Sequence, residues 1–290
     1  MFSSLCSMLN LEKDCLDYLD CEYLKLTNNE ITNKLFTTAT NNLLLCNRVE
    51  YESAFYRLLN TTSVNEYALN LLLVVSTLKD LSIEYEKANK LDSFNGYVNN
   101  VKSQVIECKN KFGVWGLKCG FWQWLFHELN CSILGRLSFE PAHHFCDISY
   151  KGVKKGDPVI LIHIPTGKPL DEESVKDSLK QAYSKFKGGF KGEIVPFITH
   201  SWLIYPPFIK CVFKDGGNLQ KFAKLFNIIS ENKAGYENFP EVFGIEYNGC
   251  DFDSLPQNTS LQKNMVDYLK KGNEMGEGYG IFFYNENGII

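Results

Sequence analysis

Between Asp157 and Tyr205 the chain spells out a strand, a sharp turn, an amphipathic helix and a second strand. Val159, Ile160, Leu161, Ile162 and Ile164 form a mainly β-branched run, too short for a helix and bounded by Pro158 and Pro165. Thr166-Gly167-Lys168-Pro169 is turn chemistry, and Asp171, Glu172 and Glu173 follow where a helix start tolerates anions best. Val175, Leu179, Ala182, Tyr183 and Phe186 then recur on one helical face. After a Gly-rich loop, Val195 to Tyr205 reads as the next strand. A strand–turn–helix of this kind aims backbone N–H groups at whatever lies above the sheet edge. A ligand carrying phosphates or a reactive carbonyl fits there best.

The two halves of the chain follow different grammars. Residues 1–132 read almost wholly as helix, and proline is absent before Pro141. Ser63 with Glu66 has capping-box spacing, and Tyr67, Leu71, Val74, Val75 and Leu78 follow at helical intervals. Further helices are expected around Leu35–Leu45, Ala54–Leu59, Asn95–Lys109 and Leu117–Leu129. From Leu134 onward, strand and helix alternate. Leu137, Phe139 and His143 to Ile148 read as strands turned by Lys151 to Asp157. Leu219 to Ile229 reads as a helix, Val242 to Tyr247 as a strand, and Tyr279 to Tyr284 as the last strand. Thr259 with Gln262 caps a helix that stops at Gly272. We therefore expect two domains, 1–132 helical and 133–290 a mixed-sheet α/β layer. Trp115, Trp122 and Trp124, with Phe112, Phe121 and Phe126, are expected to pack where the halves join.

Composition narrows the function classes. With 44% hydrophobic and 22% charged residues among 290, the chain has the makings of a substantial core. A net charge of −4 does not favour polyanions, so nucleic acid is not the expected partner. The longest apolar run, Leu71 to Val75, falls well short of the roughly 18 residues that a membrane span needs. The start lacks the basic and apolar regions of an export signal, and the ten cysteines are scattered without a Cys-x-x-Cys pair. Reduced thiols in a cytoplasmic protein, without a membrane partner, are the expectation.

Four groups of residues resemble a family of bacterial acyltransferases with a helical N-terminal acyltransferase domain and a GNAT-like C-terminal domain. They are Leu134-Gly135-Arg136-Leu137-Ser138-Phe139-Glu140, His163 to Leu170, Ser201 to Pro206, and Leu255 to Gln262. The resemblance implies an α+β/α/β arrangement: helices first, then the mixed sheet of a GNAT-like acyl-CoA N-acyltransferase. It also implies acetyl-CoA or another acyl-CoA as co-substrate, a primary amine as acceptor and no metal. By that resemblance Gly167 and Lys168, with Ile164, Thr166, Leu170 and Asn218, would hold the CoA. The tyrosine that in such enzymes reprotonates the departing thiolate is replaced here by Phe226. The Arg/Gln-x-x-Gly-x-Gly/Ala signature of the phosphate turn is also missing, and the acids after the turn oppose phosphate. A non-catalytic GNAT-like binding module is thus the rival reading, and a tight turn capped by acids the rival reading of the loop.

Four residues are candidates for catalysis. His163 has a side chain poised near neutral pH at the end of a strand, suited to accept a proton from an attacking amine or, alternatively, to satisfy a core position. Glu140 is a second candidate base, Ser201 a possible partner of His163 across neighbouring strands, and Tyr205 a possible proton donor in place of Phe226. His200 and Ser201 are adjacent, so in a strand they face opposite ways. Other motifs fail on their own terms. The Gly167-Lys168 pair lacks the first glycine and the Ser/Thr of a P-loop. His143-His144-x-Cys146 lacks the second ligand pair of a structural zinc site. Gly276-x-Gly278-x-Gly280 opens a strand, not a helix. Lys185, Lys187 and Lys191 around Gly188-Gly189 could meet a 3′-phosphate or form a solvated loop.

Overall fold

The computed structural model describes residues 6–118 and 123–290, which divide into two compact units, Met1–Ile133 and Leu134–Ile290. Cys119, Phe121 and Trp122 lie outside the described residues.

The first unit holds helices α1 (Lys13–Thr27), α2 (Glu30–Leu44), α3 (Arg48–Thr61), α4 (Glu66–Lys87), α5 (Leu91–Phe112) and α6 (Gln123–His127). Helix α4 is its axis, because Ala68 to Val75 are all buried and that stretch leaves no face for solvent. Its cap is Asn65, not Ser63: the Asn65 carboxamide oxygen accepts from the N–H groups of Tyr67 and Ala68 at 2.9 and 3.3 Å. The Asn65 N–H in turn reaches Glu22 at 2.8 Å, which fixes the start of the helix two residues later than the Ser63 spacing suggests. Trp124 meets Tyr51 edge-on at 5.0 Å, and Trp115 lies under the Lys109 ammonium at 5.3 Å, so both serve this unit's own core. His127 is buried between Thr77 and the Gln123 carbonyl, each at 2.9 Å, and burial lowers its pKa to about 4.

The second unit carries the sheet. The strands are β1 (Ser132–Leu134), which begins at the end of the first unit, then β2 (Leu137–His143), β3 (Pro158–His163), β4 (Val195–Ser201), β5 (Asn227–Gly235), β6 (Met275–Asn285) and β7 (Gly288–Ile289). They lie in the order β1-β2-β3-β4-β6-β5, with β7 on β6. Among the described strand pairs, only β3 and β4 run parallel, joined by helix α7 (Glu172–Phe186). Helices α8 (Pro206–Cys211), α9 (Asn218–Ala223), α10 (Phe239–Phe243) and α11 (Ser260–Lys270) complete the unit. All of α7 to α11 pack on one face, where Phe139, Ile162, Phe197 and Phe282 meet Leu179, Phe208, Phe239 and Met265. The other face holds Val159, Ile198, Tyr279, Ile281 and Phe283 under the loop between β2 and β3.

Three sequence expectations give way here. Val242 to Tyr247 is not a strand: Pro240 starts the short helix α10 and Gly244, at φ 73°, ends it in the left-handed region. Helix α9 stops at Ala223, and Phe226 and Ile229 fall outside it, Ile229 within the edge strand β5. That strand, Asn-Ile-Ile-Ser-Glu-Asn-Lys-Ala-Gly, is largely solvent-facing and twice bulged, so it lacks the alternation that announces a strand. Finally, β2 ends at His143, and His144 turns inward to hydrogen-bond the Tyr279 hydroxyl at 2.8 Å and the Ile148 carbonyl at 3.0 Å.

The three glycines before Tyr284 lie inside β6, where they let other chain segments lie flat against it. A side-chain carbon on Gly278 would sit 2.5 Å from the Ile204 carbonyl oxygen, and one on Gly276 would sit 2.5 Å from the Tyr205 ring.

Candidate active site

The parallel pair β3–β4 is short. Ile160 pairs with Phe197 and Leu161 with Ile198, and there the ladder ends. Beyond it β3 stays with β2 as far as His163, while β4 stays with β6 as far as Ser201. At the parting point the Thr199 hydroxyl donates to the Ile162 carbonyl at 3.0 Å, a side chain standing in for the lost backbone rung. The two strands therefore open a notch at their C-terminal ends, where α/β sheets bind ligands.

His163 stands on the rim of this notch. Its Nε2 lies 2.8 Å from Glu140 Oε2, with side-chain exposures of 13% and 16%. The geometry follows from register: Glu140 faces Leu161 across the β2–β3 pair, so its diagonal neighbour on the same face is His163. A carboxylate holding one ring nitrogen fixes the orientation of the imidazole.

Above the strand, the turn is built by a residue the sequence reading did not single out as a site residue. The Arg136 guanidinium donates to the carbonyls of Lys168 at 2.6 Å, Pro169 at 3.2 Å and Pro165 at 2.7 Å. Burial lowers the Arg136 pKa, and Asp171 opposes that shift. Gly135, at φ 66°, lets this hairpin close on α7, since a Cβ there would meet the Ser178 hydroxyl at 2.7 Å. The same hydroxyl accepts the Arg136 N–H at 2.7 Å. The carbonyls of the turn are thus drawn inward. Its N–H groups at Thr166, Gly167 and Lys168 donate to no acceptor among the described residues. Gly167 and Lys168 are exposed, and the Lys168 ammonium meets no carboxylate among the described residues. An arginine between a glycine and an alternating strand was the available signal, but only the fold shows that it reaches three carbonyls some thirty residues away.

The helix start itself is already occupied. Asp171 caps α7 by accepting the Ser174 N–H at 2.9 Å, and Glu172 pairs with Lys176 at 2.6 Å and Lys221 at 3.4 Å. These contacts hold both carboxyls below their usual range, that of Asp171 chiefly through Ser174 and that of Glu172 chiefly through Lys176. Any anion at this corner therefore meets the turn, not the first turn of the helix.

The other expected site residues are dispersed. Ile164 borders the notch and packs against the helical-face core, where Leu170 is 6% exposed and serves as a core residue. The Ser201 hydroxyl accepts the Leu203 N–H at 3.1 Å, capping a short 3-10 turn. Ser201 pairs with Gly278 and lies on the opposite face from His163. Tyr205 is 5% exposed against Phe208, with burial pushing its pKa up, so it is packed where it cannot readily serve a solvent-facing notch. Asn218 begins α9 and lines a separate hollow of about 210 Å³ with Phe213, Lys214 and Ser260. Lys187 is paired with Glu193 at 2.9 Å. An open groove of about 810 Å³ lies elsewhere again, between the outer side of α7 and Tyr284 to Ile289.

Residues 132–282 match the family described as the GNAT-like C-terminal domain. The chain belongs to that family. No curated protein matches it. Among solved structures, an acyltransferase in complex with decanoyl-CoA aligns with a TM-score of 0.67 at 19% identity, over 96% of this chain and 86% of that one. An acyltransferase in complex with decanoyl-CoA and teicoplanin aligns at 0.60 and 22% identity, over 74% of this chain and 66% of the other. A third, in complex with CoA and 10C-teicoplanin, gives 0.59 and 20% over the same shares. The chain thus spans just under two thirds of the length of the proteins in these two teicoplanin complexes. At such identities the likeness is one of fold, and it agrees with the sheet order and the parting strands of the GNAT-like unit.

Within that unit Phe226 is 7% exposed and packed on Phe222 and Phe282, at 5.4 and 5.0 Å. It is a core residue without a proton to give. Among the described residues no helix is long and apolar enough to cross a membrane.

Proposed function

We propose that the protein is an acyl-CoA-dependent acyltransferase that moves an acyl group to a primary amine. The observation that carries this reading is one juxtaposition: a notch between parting strands, rimmed by the Glu140–His163 pair and ending in the unused N–H groups of the Thr166–Lys168 turn. In this reading the turn, with Lys168, holds the pyrophosphate of acyl-CoA, and the thioester lies in the notch. Amides at the parted strand ends polarise its carbonyl. His163, oriented by Glu140, accepts the proton of the attacking amine. The bond from amine nitrogen to carbonyl carbon forms as the carbon–sulfur bond breaks, giving an amide and CoA. The family likeness and the acyl-CoA complexes of the structural neighbours support the co-substrate. The amine follows from the resemblance in the sequence and from the presence of a base.

Phe226 favours a second reading, a GNAT-like module that binds acyl-CoA without turning it over. Both readings require the turn, so Lys168→Ala tests their common ground. A charge-assisted hydrogen bond contributes roughly 1.5 to 3 kcal/mol, so affinity for decanoyl-CoA, read by calorimetry, is expected to fall about tenfold to hundredfold. The melting temperature of the unliganded protein is expected to hold. Lys187→Ala, whose side chain pairs with Glu193, is the control and should leave affinity unchanged. Equal affinity in wild type and Lys168→Ala would move the ligand away from this turn.

A further inference from the structure

The notch has a second rim, and it carries the same chemistry. Leu161 and Ile198 are the last paired residues of β3 and β4, so two residues further along the two strands stand His163 and His200. Both belong to the face opposite the helices. His163 is backed by Glu140 from β2, the strand on its outer side. His200 is backed by Glu277 from β6, the strand on its own outer side, with Nε2 and Oε2 3.3 Å apart. Glu277 is itself held, its Oε1 accepting the Asn238 amide at 2.9 Å. The groups around His200 are few: Glu277 and Tyr279 from β6, Asn232 from β5 at 3.4 Å, and the Phe145 ring from the β2–β3 loop at 6.1 Å. Tyr279 is engaged with His144 and its pKa is pushed up by burial, so Glu277 is the charged neighbour. Side-chain exposure of His200 is 38%, against 13% for His163.

We infer that His200, positioned by Glu277, is the proton donor to the sulfur of the departing CoA. The inference rests on the acyltransferase reading and answers a gap in it, since Phe226 leaves the thiolate without a donor. The step balances. The amine nitrogen attacks the thioester carbon and its proton passes to the His163 imidazole; the carbon–sulfur bond breaks and the sulfur takes a proton from the His200 imidazolium. The products are an amide and a thiol, and one proton returns from His163 to His200 through solvent. One carboxylate behind each ring suits the cycle, because it fixes the orientation of each imidazole.

The test uses the whole protein, decanoyl-CoA and hydroxylamine as a small nucleophile in place of the acceptor. Release of CoA is followed against pH, and decanoyl-CoA affinity is measured separately by calorimetry. The wild type is expected to show a bell-shaped turnover profile, rising as His163 loses its proton and falling as His200 loses its own. His200→Gln is expected to lower turnover by about a hundredfold, to keep the wild-type affinity and to abolish only the falling arm. Glu277→Gln, which leaves the ring but not its carboxylate partner, is expected to lower turnover less than His200→Gln does while keeping the wild-type affinity. A His200→Gln protein with wild-type turnover and an intact falling arm overturns the inference. Wild-type protein that binds decanoyl-CoA without releasing CoA above the uncatalysed rate also overturns it, while leaving acyl-CoA binding standing. Wild-type protein that binds no decanoyl-CoA overturns the acyltransferase reading as a whole.

Discussion

His163→Ala is expected to slow acyl transfer from decanoyl-CoA by roughly a hundredfold to ten-thousandfold, the range a positioned general base supplies. Affinity for decanoyl-CoA should change little, because the turn proposed to hold the pyrophosphate is anchored by Arg136 and not by the imidazole. Glu140→Gln should cost less, since it removes the partner at 2.8 Å but leaves the base in its register position. Single-turnover release of CoA reads both rates. Equal rates in wild type and His163→Ala would remove the base from the account, and the binding-module reading would then take precedence.

The second large effect concerns stability. Gly278→Val is expected to destabilise the sheet-bearing unit by about 3 kcal/mol, at the upper end of the range for overpacking. The reason is geometric. The new Cβ would lie 2.5 Å from the Ile204 carbonyl oxygen and 3.0 Å from its carbon, and that backbone offers no flexible end to yield. In a unit of this size 3 kcal/mol corresponds to a melting shift of roughly 6 to 12 °C. Gly188→Ala, where a Cβ meets nothing within 4 Å, is the matched control and should move melting by about a degree or less. A Gly278→Val protein that melts with the wild type would mean that the chain after Ser201 does not lie against β6 as described.

How much of this was legible in the sequence depends on where each element sits. The β3–turn–α7–β4 unit was legible because its strands are buried and its helix is amphipathic, so hydrophobic periodicity reports both. The capping box at Thr259 and Gln262 was legible because it is a local motif, and it is formed in full. Strand β5 was not, because an edge strand with Ser230, Glu231, Asn232 and Lys233 carries no alternation of burial to read. Nor was α10, where Val242 and Phe243 suggest a strand and only Pro240 and Gly244 betray a single helical turn.

The candidate site divides in the same way. Glu140 and His163 could each be named from residue type, but their pairing depends on β2–β3 register, which spans twenty-three residues. Ser201 and Tyr205 were attractive by chemistry alone; alternation puts the first on the wrong face, and packing under Phe208 buries the second. Arg136 and His200 act through partners distant in sequence. No local pattern announces a guanidinium that gathers three carbonyls, or a histidine whose carboxylate comes from a strand seventy-seven residues later.

The central claim is that the notch and its turn hold acyl-CoA, and calorimetric titration of the intact protein with decanoyl-CoA tests it most directly. The account predicts saturable binding with a Kd below about 1 mM, equivalent to roughly −4 kcal/mol, and a melting temperature that rises with ligand concentration. No heat of binding and no shift in melting at millimolar decanoyl-CoA, with acetyl-CoA and CoA equally silent, would contradict it.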